Sequence, residues 1–98
     1  MPKTKDLPSR AHRQSDRFIT EARELGRCVR ARRKHLGWTL EQAAEQAGME
    51  YQHIQKIEAG QLNVTLLTLV RLGEAFGVRV SDLFAEPAPI SVASAPQT

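Results

Sequence analysis

Four residues between positions 40 and 59 limit what this chain can fold into more than any other feature. Ala44, Gly48, Ile54 and Ile57 are spaced so that two short helices can cross closely through a turn that contains one glycine. A small alanine lets the second helix approach the first, a glycine can end a helix at positive φ without a Cβ penalty, and the isoleucines fill the seam. The spacing therefore predicts a helix-turn-helix motif.

The composition of the chain favours one small all-α domain without a catalytic or metal site. The chain has 98 residues, 41% of them hydrophobic and only five of them aromatic, which suits a compact helical core better than a sheet. Cys28 is the single cysteine, so no internal disulfide can form, and no His or Cys lies at metal-ligand spacing to it. No nucleophile paired with a base and no phosphate-cradling loop is present. We therefore expect no metal, no cofactor and no enzymatic activity.

The apolar residues are distributed as in a protein that stays in the cytoplasm. No apolar run approaches the length needed to span a membrane. The first six residues, Met-Pro-Lys-Thr-Lys-Asp, lack the apolar stretch of a signal peptide. A single unpaired cysteine also fits a reducing compartment.

Charge is concentrated in the N-terminal third. Residues 1–38 hold eleven Lys and Arg against four acids, whereas residues 39–98 hold three bases against seven acids. A polyanion would therefore meet the N-terminal third first, which predicts a nucleoid-associated protein. The alternative is a solvated basic arm that only keeps the protein soluble.

Hydrophobic periodicity, caps and glycines divide the chain into five helical elements between two flexible termini. Residues 1–15 form a basic arm and residues 86–98 form a Pro/Ala/Ser tail, because neither has enough apolar residues to offset the entropy of ordering. Thr39 is expected to cap the second helix in a capping box with Gln42. The predicted elements are a helix from about Asp16 to Leu36, one from Leu40 to Ala47, one from about Glu50 to Ala59, one from Leu66 to Gly77, and a short turn from Val80 to Phe84.

The apolar stripes of these elements predict the core. On the first helix the stripe holds Phe18, Ala22, Leu25, Val29 and Leu36, and on the fourth it holds Leu66, Leu69, Val70, Gly73 and Phe76. The short turn is expected to close the core with both Leu83 and Phe84.

The chain resembles the phage repressor and Cro type of DNA-binding domain, also called the xenobiotic-response-element family of bacterial regulators. The resemblance covers about Leu25 to Phe84. It is carried by Leu25-Gly26, Val29, Arg33, Gly37-Trp38-Thr39, Ala44, Ala47-Gly48, Ile54, Ile57-Glu58-Ala59-Gly60, Asn63, Thr65-Leu66, Leu69, Leu72, Ala75, Phe76-Gly77-Val78 and Leu83-Phe84. It implies a compact five-helix repressor-like DNA-binding domain over residues 16–85.

Periodicity and the resemblance together give the candidate DNA-reading residues. Ile54 and Ile57 are expected to point inward, which leaves Tyr51, Gln52, Gln55 and Lys56 on the other face of the third helix or its flanks. Gln can pair with adenine, Lys with guanine or a phosphate, and a Tyr ring with a thymine methyl group. The resemblance matches Tyr51, Gln52 and Lys56 to base-contacting positions. The full predicted set of DNA-binding residues is Tyr51, Gln52, Gln55, Lys56, Thr39 and Asn63.

The resemblance also implies an ion pair between Arg33 and Glu58. Such a pair would tie the first helix to the end of the third. A half-buried Glu at that position is costly without a cation, and Arg can meet it through two parallel hydrogen bonds. We predict a structural role for both residues.

Several residues depart from the pattern of the family. Leu40 stands where relatives commonly carry Gln, Glu50 where they carry Ser or Thr, and Gln61 and Leu62 where they carry basic residues, so phosphate contacts are lost. Ala59, which also offers no polar group to DNA, points in the same direction. Glu50 repels phosphates unless it accepts a hydrogen bond from a cytosine amine. These departures support an alternative function, a protein-interaction adaptor that has kept the fold and lost DNA binding.

Surplus apolar residues after the third helix suggest a subunit interface. Leu62 and Leu67 are not needed by the predicted core stripe and are expected to form an exposed patch. We predict a homodimer through Leu62, Leu67 and Val80. The alternative is that the two leucines pack against Phe18 or against the Pro-rich tail.

Taken together, these features predict a sequence-specific regulator of transcription that binds double-stranded DNA. A dimeric repressor would read an inverted repeat whose half-site centres lie one helical turn, about 34 Å, apart. A second alternative is the antitoxin of a toxin–antitoxin pair, which would bind its operator through this domain and its toxin through the tail.

Overall fold

The computed structural model describes residues 15–87, and every regular element within this range is helical. The elements are α1 at Asp16–His35, α2 at Leu40–Ala47, α3 at Tyr51–Glu58, α4 at Leu66–Phe76 and a 3₁₀ helix at Val80–Phe84. The all-α prediction is confirmed, but the described range has four α-helices rather than five. The last element is too short to hold more than tight i to i+3 turns, so it forms a 3₁₀ helix. Apart from Ser15, Glu86 and Pro87, the predicted arm and tail lie outside the described residues.

Helix α1 is bounded by side-chain and backbone signals close to those predicted. The Ser15 hydroxyl accepts a hydrogen bond from the Phe18 N–H at 3.0 Å, which caps the first turn. The helix ends at His35, and Gly37 follows with a φ of 75°. Leu36 was predicted on the core stripe, but it lies beyond the last helical residue and its side chain is exposed. That prediction was wrong because Leu36 follows the end of the helix, so the helical spacing of the core-facing residues no longer applies to it.

Helix α2 begins with the predicted capping box. The Thr39 hydroxyl accepts a hydrogen bond from the Gln42 N–H at 3.0 Å, and the Thr39 N–H donates to the Gln42 side-chain oxygen at 2.8 Å. Two backbone N–H groups that no intrahelical partner could satisfy are paired in this way.

We expect a Thr39→Ala variant to lose about 1 kcal/mol of unfolding free energy, because the Gln42 N–H would lose the hydroxyl that accepts its hydrogen bond. Urea unfolding followed by circular dichroism measures this change. Thr20→Ala is the matched control, since Thr20 is exposed in the second turn of α1 and caps nothing. Equal stability of the two variants would contradict the capping role.

The core lies where α1, α2 and α3 meet and is closed by α4 and the 3₁₀ helix. Its fully buried side chains include Val29 of α1, Ile54 and Ile57 of α3, Leu72 of α4 and Leu83 of the 3₁₀ helix. Three alanines of α2 are also buried, and their small side chains let α2 pack closely on α3. They are Ala43, Ala44 and Ala47. Trp38, next to the start of α2, stacks on Phe76 of α4 with ring centroids 5.8 Å apart.

Helix α4 follows its predicted core stripe at Leu69, Gly73 and Phe76, but the stripe prediction was wrong at Leu66 and Val70, which are exposed. Leu72 and Gly73 are buried and Leu66 is 68% exposed, while Leu67 is 58% exposed, as predicted. Leu66 was predicted in the core; it is exposed because it is the first residue of α4, and the contact with the core cluster begins with Leu69, one turn later. Leu62 shows the opposite difference, since it packs on the core cluster instead of forming an exposed patch.

The 3₁₀ helix contributes one core residue rather than two. Leu83 is fully buried and Phe84 is exposed. With three residues per turn, neighbouring side chains in a 3₁₀ helix point about 120° apart, so two consecutive residues cannot both face the core.

Cys28 is buried among the core-facing residues of α1. Burial, together with the nearby Glu24 carboxylate, raises the pKa of its thiol, which disfavours the reactive thiolate. Within residues 15–87 there is no cluster of His, Cys, Asp and Glu that could hold a metal ion. None of the described helices is long and apolar enough to cross a membrane.

Candidate nucleic-acid interface

Helices α2 and α3 form the predicted helix-turn-helix. Gly48 ends α2 in the left-handed region, with φ 66° and ψ 40°. The Met49 N–H then donates to the Ala44 carbonyl at 3.0 Å, which closes the turn. A Cβ on Gly48 would meet no atom within 4 Å, so the backbone conformation rather than lack of space favours glycine here. Arg71 of α4 contacts the Gly48 carbonyl at 3.4 Å and connects the turn to the rest of the domain.

Helix α3 has one buried and one exposed face. Ile54 and Ile57 are buried, as the periodicity predicts. The residues exposed on its outer side are Tyr51, Gln52, Gln55 and Lys56. A short helix held by its inner face therefore presents two amides, an amine and a phenol together to the solvent.

Part of this surface borders a recess of about 460 Å³ beside α3. Gln52 and Lys56 line it from α3, and Asn63 lines it from the segment that follows Gly60. The structure thus brings three of the predicted DNA-binding residues to one recess. Tyr51 and Gln55 are not among its lining residues, and Thr39 lies at the start of α2, where its hydroxyl forms the capping box.

The recess also contains polar residues that the sequence reasoning did not select. His53 lines it from α3, and Thr65 and Thr68 line it from the start of α4. The Thr65 hydroxyl accepts from the Thr68 N–H at 3.1 Å, so Thr65 caps α4. The cap could be read from the sequence, but its position opposite α3 could not, because it depends on how the segment between the two helices folds back.

Arg33 and Glu58 meet in a bidentate ion pair. The Arg33 Nε donates to Glu58 Oε2 at 2.6 Å, and the Arg33 Nη2 donates to Glu58 Oε1 at 2.9 Å. The third guanidinium nitrogen, Nη1, donates to the Trp38 carbonyl at 2.9 Å. Both side chains are about nine-tenths buried, and the hydrogen bonds to Glu58 raise the pKa of Arg33. The pair joins α1 to the last residue of α3.

Gly26 allows α1 to cross the end of α3 at very short distance. A Cβ at this position would lie 2.4 Å from the Ile57 carbonyl oxygen and 2.5 Å from the Glu58 carbonyl oxygen. Both atoms belong to the backbone, so no side-chain rotation could relieve the contact. In the sequence, the only sign that another backbone comes this close is a glycine inside a helical pattern. This sign does not show which segment of the chain lies against the glycine.

The arginines of α1 are used differently from one another. Arg27 pairs with Glu24 and with Glu86, so its charge is neutralised within the domain. Arg32 donates to the Asp82 carbonyl at 2.9 Å and holds the 3₁₀ helix against α1. Arg30 is exposed and forms no ion pair within residues 15–87. Arg27 is therefore a weaker candidate for phosphate contact than Arg30.

Residues 29–83 match the helix-turn-helix family, and this range is more than half of the chain. No curated protein sequence is significantly similar to the chain. Two of the solved structures that share its fold are a controller protein and a transcription factor. The restriction-modification controller protein C.AhdI from Aeromonas hydrophila is 26% identical with a TM-score of 0.64, and the match covers 66% of this chain and 98% of that protein. The hypothetical transcription factor NHTF from Neisseria is 25% identical with a TM-score of 0.64, and the match covers 68% of this chain and 77% of that protein. The chain therefore belongs to the Cro/C1-type helix-turn-helix family of DNA-binding transcription regulators.

Proposed function

We propose that this protein is a sequence-specific repressor that binds an inverted repeat as a homodimer and reads each half-site with α3. The observation that carries the proposal is the two-sided character of α3. Its inner face is fixed by Ile54, Ile57 and the ion pair of Glu58, while its outer face carries hydrogen-bonding side chains. A rigidly held helix with an exposed polar face is what major-groove reading requires. Similarity to a restriction-modification controller and to a transcription factor supports a regulatory role.

The residues of the proposed interface divide between bases and backbone. Gln52 and Gln55 carry amides that can pair with adenine N6 and N7, and Lys56 can donate to guanine or to a phosphate. Tyr51 offers a ring to a thymine methyl group. Asn63 and Thr39 lie on the elements that flank α3 and would bind phosphates, which fixes the register of the helix on the duplex.

The dimer interface in this proposal is centred on the exposed face of α4. Leu66, Leu67 and Val70 are exposed together at the start of that helix, and such a patch is typical of a surface that another protein covers. Val80 is half-buried and so offers less apolar surface to a partner, while Leu62 packs on the core of its own subunit. Sedimentation velocity at tens of micromolar tests this part. A dimer that Leu67→Glu converts to a monomer supports it, and a parent protein that sediments as a monomer contradicts it.

Selection from random DNA duplexes tests the function as a whole. The protein is expected to enrich a near-palindrome, with affinity that falls steeply as the salt concentration rises. Lack of any enriched sequence at low salt would overturn the proposal and favour an adaptor that binds other proteins through α4.

Point variants on the selected site then separate the roles of the side chains. Gln52→Ala is expected to cost about 1–3 kcal/mol of binding and to relax the preference at one base pair. Lys56→Ala is expected to weaken all sequences alike and to lower the salt slope by about 1 if Lys56 contacts a phosphate. Gln46→Ala is the matched control, because Gln46 is exposed on α2 and lies outside the proposed interface. If Gln52→Ala, Lys56→Ala and Gln46→Ala all bind the selected DNA site equally well, α3 is not the element that reads the bases.

A further inference from the structure

Glu50 occupies the N-cap position of α3 but does not use its carboxylate as a cap. Its backbone has the extended conformation of an N-cap, with φ −79° and ψ 152°. No side-chain hydrogen bond reaches the first turn of the helix, unlike the hydroxyls of Ser15, Thr39 and Thr65 at the other α-helices. The Glu50 side chain is exposed and has no ion-pair partner among residues 15–87. The carboxylate is therefore a free acceptor at the start of the proposed recognition helix.

The position of Glu50 places this acceptor on the proposed reading surface. Glu50 lines the same recess as Gln52 and Lys56. Lys56 is the only Lys or Arg that lines it, so the recess carries one positive and one negative side chain and offers no excess of positive charge to phosphates. A free carboxylate in a major groove is repelled by the phosphates on both walls, and this repulsion must be offset by a hydrogen-bond donor on a base edge.

The major groove offers only two kinds of strong donor, the amino groups of cytosine and of adenine. The adenine amino group stands beside the N7 acceptor, which repels a carboxylate, whereas the neighbour of the cytosine amino group on the same base is the C5–H edge. A carboxylate therefore fits cytosine N4 better than any other base atom. An amide in the same place would fit adenine, because it can donate to N7 while it accepts from N6.

Resting on the function proposed above, we infer that Glu50 is a specificity-determining residue that selects a cytosine in each half-site. The carboxylate lowers affinity for DNA in general and restores it only where a cytosine amino group faces it. Glu50 thus acts mainly by rejecting the other three bases at that position.

The test is selection of binding sites by the parent protein, by Glu50→Gln and by Glu50→Ala, followed by titration of each protein with the selected duplex and with a random duplex. The parent is expected to require cytosine at one position of each half-site by about tenfold or more. Glu50→Gln is expected to change that preference to adenine, and Glu50→Ala is expected to abolish it. Both variants are expected to bind the random duplex more tightly than the parent, since a negative charge has been removed from the interface.

Glu41→Gln is the matched control, because it removes the same charge from an exposed position in the first turn of α2. A purely electrostatic effect would appear in this variant too, without any change of base preference. Thermal melting confirms that each variant folds, as expected for an exposed side chain that caps nothing. If the parent selects a near-palindrome and the Glu50 variants select the same one, the inference about Glu50 fails while the proposed function stands. If the parent selects no sequence, the proposed function itself fails.

Discussion

An Arg33→Ala variant is expected to lose about 3–5 kcal/mol of unfolding free energy, the usual cost of removing one partner from a buried ion pair. The loss would leave the Glu58 carboxylate, which is only 8% exposed, without a cation, and would also leave the Trp38 carbonyl without its donor. Domains of this size are stable by only about 5–15 kcal/mol, so the variant would be partly unfolded at room temperature or would melt far below the parent. Urea unfolding and thermal melting by circular dichroism measure the effect.

Two further variants distinguish the loss of stability caused by breaking the ion pair from the effect of removing a charge. Arg30→Ala removes an exposed arginine from the same helix and is expected to change stability by less than about 0.5 kcal/mol. The double variant Arg33→Met, Glu58→Leu removes both charges and is expected to recover much of the loss, because no buried charge is left unpaired. If Arg33→Ala melts like the parent but no longer binds DNA, Arg33 acts in DNA contact and its structural role is refuted.

A Gly26→Ala variant is expected to be destabilised by about 2 kcal/mol and to lose DNA binding. Its Cβ would lie 2.4 Å from the Ile57 carbonyl oxygen, so α1 and α3 would have to move apart. Overpacking of this kind costs about 1–3 kcal/mol or more and outweighs the gain of up to about 1 kcal/mol that alanine brings to a helix. Because Ile57 and Glu58 end α3, the displacement would also reorient the helix proposed to read DNA.

Gly73→Ala is the matched control for this prediction. Its Cβ would lie 2.7 Å from the Val78 carbonyl oxygen, so it creates a similar clash within α4 and the segment that follows. Both variants are expected to melt below the parent, but at temperatures where both are folded only Gly26→Ala should bind DNA poorly. A Gly26→Ala protein that is more stable than the parent would contradict the close crossing of α1 and α3.

Local interactions explain why the helix bounds could be predicted so well from the sequence. The Thr39 and Gln42 capping box, the left-handed Gly48 and the alternation of Ile54 and Ile57 with polar residues involve atoms a few positions apart. Such signals act within one turn of a helix, so the sequence alone contains nearly all the information about them. The same locality made the outer face of α3 predictable once its inner face was known.

The tertiary structure decided what depends on residues far apart in the chain. Periodicity assigned Leu66 to the core and Leu62 to the surface, and packing reverses both. Leu66, the first residue of α4, stays exposed, and Leu62, in the segment before α4, packs on the core cluster. The closeness of Gly26 to the end of α3 likewise depends on how two helices cross, since Gly26 and its neighbours Ile57 and Glu58 are more than 30 positions apart in the sequence. Sequence by itself determined where the helices of this protein begin and end and which side of α3 is polar. Only the tertiary structure decided which apolar residues are covered, where backbones touch and which side chains share the recess with Glu50, because these contacts join segments whose relative positions no local interaction determines.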